Sequence, residues 1–354
     1  MTGPREVALL RLVAQRLAGP PLPDAAAAVR WLTAVQAQDY PGALTSVALR
    51  TAGGTRASVE AALDAGEVVR SWPMRSTLHL VAAEDLGWLL ELCGPRVLAG
   101  AAKRRATLGL EEAECERARE LAVAALTGGG RLRRADLLRV FDDGGVPTAG
   151  QRGYHLLWYL AQTGTLCLGP TGGGEQLFVL TAEWVRAPRR LDRGEALAEL
   201  ALRFFRSHGP ATVADLARWA GLTKTDVRAG LDVVRPHLLS LDVDGAEHLL
   251  DPGTPELLDR FRTEARGTFL LPGFDELVLG YADRSCTVDP AFAERIVPGG
   301  NGMFRSTVVC DGRVVGTWRW TGSGARRRLT AEPFTEFDAA SQEEIETRAA
   351  TLPA

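Results

Sequence analysis

Two glutamines, Gln36 and Gln38, stand two residues apart in "AVQAQDYPGAL", residues 34–44. The chain holds seven glutamines in 354 residues, so such close spacing is not a product of composition. An amide side chain offers a carbonyl that accepts and an amino group that donates, with no charge to desolvate. Two of them together can hold a water molecule and present donors to an oxygen-rich substrate. The Asp-Tyr-Pro-Gly that follows is expected to end the helix carrying them, because Pro41 disfavours the helical region for Tyr40. Inside a regular helix, residues two apart diverge by about 200°. The glutamines therefore share one cleft only if the chain is already unwinding at Gln38.

Other chemistry-bearing groups have plainer readings. His79, in "RSTLHL", alternates with apolar neighbours and reads as a packed residue of a β-wing, with ligand contact as the alternative. Asp275 and Glu276 follow a Pro-Gly turn between apolar runs and serve either as a turn cap or as a general base. Five scattered cysteines without a C-x-x-C pair argue against a disulfide framework and a structural zinc site. No H-E-x-x-H, G-x-S-x-G or P-loop is present, which removes the well-marked metalloprotease, serine-hydrolase and nucleotide classes. "GPTGGGEQ" lies between two strand-like runs, so it reads as a wing tip rather than a phosphate cradle.

All but two of the 41 basic residues, Lys103 and Lys224, are arginine, and the net charge is −3. The basic residues cluster at 103–105, 131–134, 186–190 and 326–328. An acidic chain with basic stripes can still bind a polyanion on one face. No apolar run reaches membrane-spanning length, and "MTGPREVALLRLVAQRL" carries charges within its apolar run. That segment reads as an amphipathic first helix, and a cytoplasmic address is expected.

The elements that must position these residues recur in one order. "ERARELAVAAL", "RRADLLRVF" and "TAGQRGYHLLWYLAQTG" read as three helices, followed by two strands around "TGGG". The same order returns in "EALAELALRFFRSH", "TVADLARWAG" and "TKTDVRAGLDVVRP", followed by a hairpin turning at Asp244-Gly245. Both copies place Ala-Asp-Leu in the second helix, as an internal repeat would. A looser copy opens the chain with "REVALLRLVAQRL", "DAAAAVRWLTAVQAQD", "SVEAALDAGEVV" and the wing "VVRSWPMRSTLHLV".

Three helices and a wing make a winged helix-turn-helix. The expected fold is α+β and mainly helical: three tandem winged units at 1–86, 111–190 and 191–252, a helical spacer at 87–110, and a C-terminal α/β segment at 253–354. In the second unit Leu156, Leu157 and Leu160 are expected to face inward and Gln151, Arg152 and His155 outward. In the third, Val227, Leu231 and Val234 face inward, while Lys224, Arg228, Asp232 and Arg235 face outward. Asp232 among those bases suits a scaffold better than a reader of the major groove.

The Gln-x-Gln pattern after an amphipathic helix resembles the catalytic motif of the AlkZ-like DNA glycosylases. "MRSTLHLVAAEDLGWLL", "LLPGFDELVLGYADRS" and "NGMFRSTVVCDGRVVGTWRW" are similar to three further runs of that family, so the resemblance spans nearly the whole chain. Gln36 and Gln38 take the positions of its two catalytic glutamines, with Ala37 between them. A related YcaQ-like branch carries Asp at the second position; Gln38 places this chain with the AlkZ-like branch.

The resemblance implies tandem winged helices forming a C-shaped clamp, and removal of N7-alkylated purines, including those in interstrand cross-links. It implies a monomer acting on double-stranded DNA with alkylated or cross-linked guanine, with no membrane partner and no cofactor or metal. Arg75, Lys103, Arg104, Arg105, Arg152, Arg326 and Arg327 would bind phosphates, and binding would weaken steeply with salt. A transcriptional regulator built of winged helices is the alternative from another class, and a family member acting on N3-alkyladenine is a third.

The chemistry suits neutral amides. Alkylation at guanine N7 puts a positive charge on the base and weakens its bond to the sugar, so a strong general acid is dispensable. What remains is to place water and stabilise a sugar with oxocarbenium character. With no lysine near the motif to form a Schiff base, the expected enzyme is monofunctional, with water as nucleophile.

Overall fold

The computed structural model describes residues 3–322 and 326–353. Met1 and Thr2 of the expected first helix lie outside them. The chain forms two compact units, Glu60–Ala196 and a discontinuous one of Met1–Val59 with Leu197–Ala354.

In Glu60–Ala196 the helices Glu112–Leu126, Arg134–Asp143 and Arg152–Gln162 appear where the periodicity places them. The strands Leu166–Gly172 and Glu175–Leu180 follow, turning through Gly173 and Gly174 at positive φ, as a wing tip requires. The earlier hairpin Val68–Met74/Thr77–Ala82 turns through Arg75 (φ 55°) and Ser76 (φ 58°). Two non-glycine residues in the left-handed region make an unusual tip. Arg70 pairs with Leu168, so the two expected wings lie edge to edge in one antiparallel sheet. Leu137, Phe141, Leu156, Leu160 and Phe178 lie in the core beside it.

The discontinuous unit contains α1 (Pro4–Ala14), α2 (Ala25–Leu32), a two-residue strand β1 (Val35–Gln36) and α3 (Tyr40–Ala48). The helices Arg193–His208, Val213–Ala220 and Lys224–Val234 are followed by the hairpin Leu239–Val243/Ala246–Leu250. Two of those helices start in capping boxes, Thr212 with Asp215 and Thr223 with Asp226, each satisfying two orphan N–H groups. Val227, Leu231 and Val234 are buried, and Lys224, Arg228, Asp232 and Arg235 are exposed.

After residue 253 come the strands Thr268–Leu271, Thr307–Cys310, Arg313–Thr321 and Arg328–Pro333 and the helix Ala339–Thr351. Every pairing in this sheet is antiparallel, so the segment is α+β, not the α/β expected. The cause is local: Asp311 (φ 49°) and Gly312 (φ 78°) form a tight hairpin turn, which parallel strands cannot share.

Candidate active site

The largest departure from the sequence reading falls on the glutamines. The helix expected through Asp39 stops at Leu32, where Thr33 takes a positive φ of 69°. Asp-Tyr-Pro-Gly does not end a helix; it begins α3, with Pro41 in the first turn. A proline there lacks only an N–H that would have no partner, and its fixed φ suits the helix. Gln36 lies on extended backbone in β1, and Gln38 follows at a bend. The helical divergence that would separate the two amides is therefore absent.

Gln36 is buried and Gln38 exposed. The Gln38 N–H donates to Gln36 Oε1 at 3.1 Å, which assigns that end of the Gln36 amide as the carbonyl. Its NH2 group is then the end left to donate. The Gln36 main-chain N–H donates to Oε1 of Glu276 at 3.2 Å, and the Trp219 indole donates to Oε2 of the same carboxylate at 2.8 Å. His208 Nε2 lies 3.4 Å from that oxygen, and its ring stacks on Phe204 at 4.6 Å. Glu276 is fully buried, so it braces Gln36 and is not itself in contact with solvent.

Its neighbour Asp275 holds α3. The carboxylate accepts two hydrogen bonds from Arg50, both 2.9 Å, one from Ser46 Oγ at 2.7 Å and one from the Leu277 N–H at 3.0 Å. Burial alone would raise its pKa; the Arg50 charge and these bonds outweigh burial and leave it below the usual carboxylate value. Arg50, also fully buried, spends its other donors on Gln15 O and Oε1 and Ser46 O. Gln15 Nε2 donates to Tyr281 Oη, which donates to His208 O. Asp275 is thus the turn cap that the sequence allowed, and an ion-pair partner besides.

Asp39 is the neighbour that sequence reading passed over. It precedes α3 without capping it, and its carboxylate has no hydrogen bond or ion pair among the described residues. A Cβ on Gly42 would sit 2.5 Å from Asp39 Oδ2, so the glycine makes room for it. Asp39 lines a cavity of about 350 Å³ with Gly273, Phe304, Arg305, Trp318 and Arg319. The signal lay in the quoted stretch, but assigning Asp-Tyr-Pro-Gly to a helix stop concealed it. Arg50 gave no local signal, because its main partner is 225 residues away.

The expected phosphate ligands are dispersed. Lys103 and Arg104 are exposed, with Arg104 donating to Gln151 Oε1. Arg105 donates to Leu98 O and lies 5.3 Å from the Tyr159 ring centroid. Arg152 is drawn inward, bonded to Glu114 at 2.5 Å and to the carbonyls of Pro147, Leu108 and Gly109. His155, expected outward, is buried against Trp158, because the helix turns that face to the core. Arg75 occupies its hairpin tip 3.3 Å from Nε2 of His79, a buried ring that also bonds Thr77 O. Arg326 and Arg327 are exposed, with Arg327 4.2 Å from the Trp320 ring centroid. Among the described residues no group of three His, Cys, Asp or Glu side chains is placed to hold a metal ion. No described helix is long and apolar enough to cross a membrane.

The mixed helix-and-sheet fold with its Gln-x-Gln stretch is that of a DNA glycosylase, a hydrolase of N-glycosyl bonds. The chain belongs to the family described as DNA glycosylase AlkZ-like, which matches residues 29–354. It is 28% identical over 360 residues to an interstrand DNA cross-link repair glycosylase of Streptomyces sahachiroi, covering 98% of this chain and 94% of that protein. The solved structure of Streptomyces sahachiroi DNA glycosylase AlkZ superposes with a TM-score of 0.81 at 26% identity, covering 98% of this chain and 95% of the other.

Proposed function

We propose that this enzyme is a monofunctional glycosylase that hydrolyses the N-glycosidic bond of N7-alkylated guanine, including guanine held in an interstrand cross-link. The observation that carries the reading is the braced amide pair: Gln36 fixed by Glu276 and by Gln38, beside the Asp39 carboxylate, which has no hydrogen bond among the described residues. An N7-alkylated base leaves as a neutral molecule without prior protonation, so the site needs a placed water and stabilisation of the sugar cation. Gln36 donates through its NH2, and Gln38 accepts from the attacking water. The negative charge of Asp39 favours both the cationic base and the developing oxocarbenium. The name of the Streptomyces relative supports a role in cross-link repair.

DNA is held, in this reading, by Arg75, Lys103, Arg104, Arg105, Arg152, Arg326 and Arg327 on tandem winged helices arranged as a clamp, and the enzyme works as a monomer. Of these, Arg152 is the most committed to its own unit. Lys103 and Lys224 are the only lysines, and neither is in the Gln-x-Gln stretch, in keeping with water as the nucleophile.

The test is release of free base from a duplex bearing one N7-methylguanine, and from a duplex cross-linked through N7. Release from both supports the full assignment. No release from either sinks the N7-guanine reading. Asp39→Asn should slow release of N7-methylguanine by roughly tenfold or more, with duplex affinity kept. An unchanged rate would remove Asp39 from the site.

A further inference from the structure

A separate cavity of about 470 Å³ lies in the discontinuous unit, walled on its apolar side by Val288, Ile296 and Phe304. Two guanidinium groups, Arg218 and Arg284, also line it. Arg284 is fixed by one bond, from Nε to Val278 O at 2.7 Å, and its Cζ lies 5.0 Å from the Phe304 ring centroid. Neither of its outer nitrogens donates to any described residue, and Nη2 is also closed off from water. Arg218 is exposed and donates from Nη1 to Tyr281 O at 3.1 Å.

Buried polar groups are nearly always satisfied, and a guanidinium with idle donors at a cavity wall needs an acceptor from outside the chain. A second positive charge stands beside it, and among the described residues neither guanidinium forms an ion pair, so an anion in the cavity would relieve their repulsion. Burial first, and then the Arg218 charge, pull the Arg284 pKa down to about 10, against the opposing charge of Asp215. Asp283 and Glu294 line the same cavity, but neither forms an ion pair with Arg218 or Arg284 among the described residues. Asp283 Oδ1 is taken by the Ser285 N–H at 2.8 Å and Glu294 Oε2 by the Gly299 N–H at 2.9 Å.

We propose that Arg218 and Arg284 form a phosphate-binding subsite, Arg218 and the Nη1 side of Arg284 gripping the oxyanion and the apolar wall receiving the organic group it carries. Planar guanidinium forks match phosphate oxygens in pairs, which a point charge cannot do. The chemistry is shared by a backbone phosphate of DNA and by a free phosphate ester. As a backbone contact the subsite deepens the reading above and rests on it. It would anchor the strand through a cavity outside every basic cluster visible in the sequence.

Two measurements on the full chain separate the outcomes. The first is affinity for an undamaged duplex as a function of salt, for wild type, Arg284→Met and Arg218→Gln. The second is the melting temperature of each protein against rising inorganic phosphate, which stabilises only a folded protein that binds it. A backbone contact predicts weaker duplex binding in both variants and a salt slope lower by about 1. It also predicts phosphate stabilisation of wild type that is lost in Arg284→Met. Phosphate stabilisation without a change in duplex binding keeps the subsite and assigns it to a free phosphate ester. Unchanged slopes, with no phosphate response in wild type beyond that of the variants, overturn the proposal. Arg218 is exposed, so Arg218→Gln carries the test if Arg284→Met fails to fold. The duplex is undamaged, so a failure of base release leaves this result untouched.

Discussion

Gln36→Ala and Gln38→Ala should each lower the single-turnover rate of base release by about two orders of magnitude, roughly 3 kcal/mol of transition-state stabilisation. Duplex affinity and folding should survive in both. The bracing bond to Glu276 comes from the main-chain N–H of Gln36, so truncating its side chain leaves that bond in place. What disappears is the carbonyl that accepts from Gln38 and the NH2 group proposed to donate to the substrate. The two positions should then differ in what they tolerate. Gln36→Glu loses the donor and puts a charge on a buried side chain, so it should be as slow as alanine. Gln38→Asp keeps an acceptor, as in the YcaQ-like branch, and should retain part of the rate. Equal rates across wild type and all four variants would end the amide mechanism.

Removing one partner of the Arg50–Asp275 pair should have the largest effect on stability. Both side chains are closed to solvent, and a buried ion left without its partner costs about 3–5 kcal/mol. Arg50→Ala and Asp275→Ala should therefore melt well below wild type and lose activity with the fold. The pair also sets an acid limit. A carboxyl with a folded pKa below its unfolded value holds fewer protons in the folded state, so stability falls as acid protonates it. The contribution is complete above the unfolded value of about 3.9 and is lost as pH falls through the lower folded value. Melting temperatures of wild type and Asp275→Asn between pH 5 and pH 2 should converge as the pH drops. Parallel curves would show that Asp275 carries no such linkage.

These predictions rest on features of unequal legibility. Asp244-Gly245 was readable as a turn because positive φ is a local demand that Gly, Asp and Asn meet at low cost. The helices of the repeat were readable because their apolar faces recur with the helical period. Arg75-Ser76 carries no turn signature, and its placement depends on the strands paired on either side.

The sequence by itself determined the helices of the repeat, the hairpin turns and the presence of two amides in a Gln-x-Gln stretch. Those depend on each residue and its near neighbours. Tertiary structure decided where the second helix stopped, that Pro41 would open a helix, and which carboxylate would stand behind the amides. Glu276 meets Gln36 from 240 residues away, and Asp275 meets Arg50 from 225. Those meetings are set by burial: once Arg50 and the two acids leave water, each must find its donors and acceptors inside the protein, and the backbone around the glutamines takes the shape that lets them.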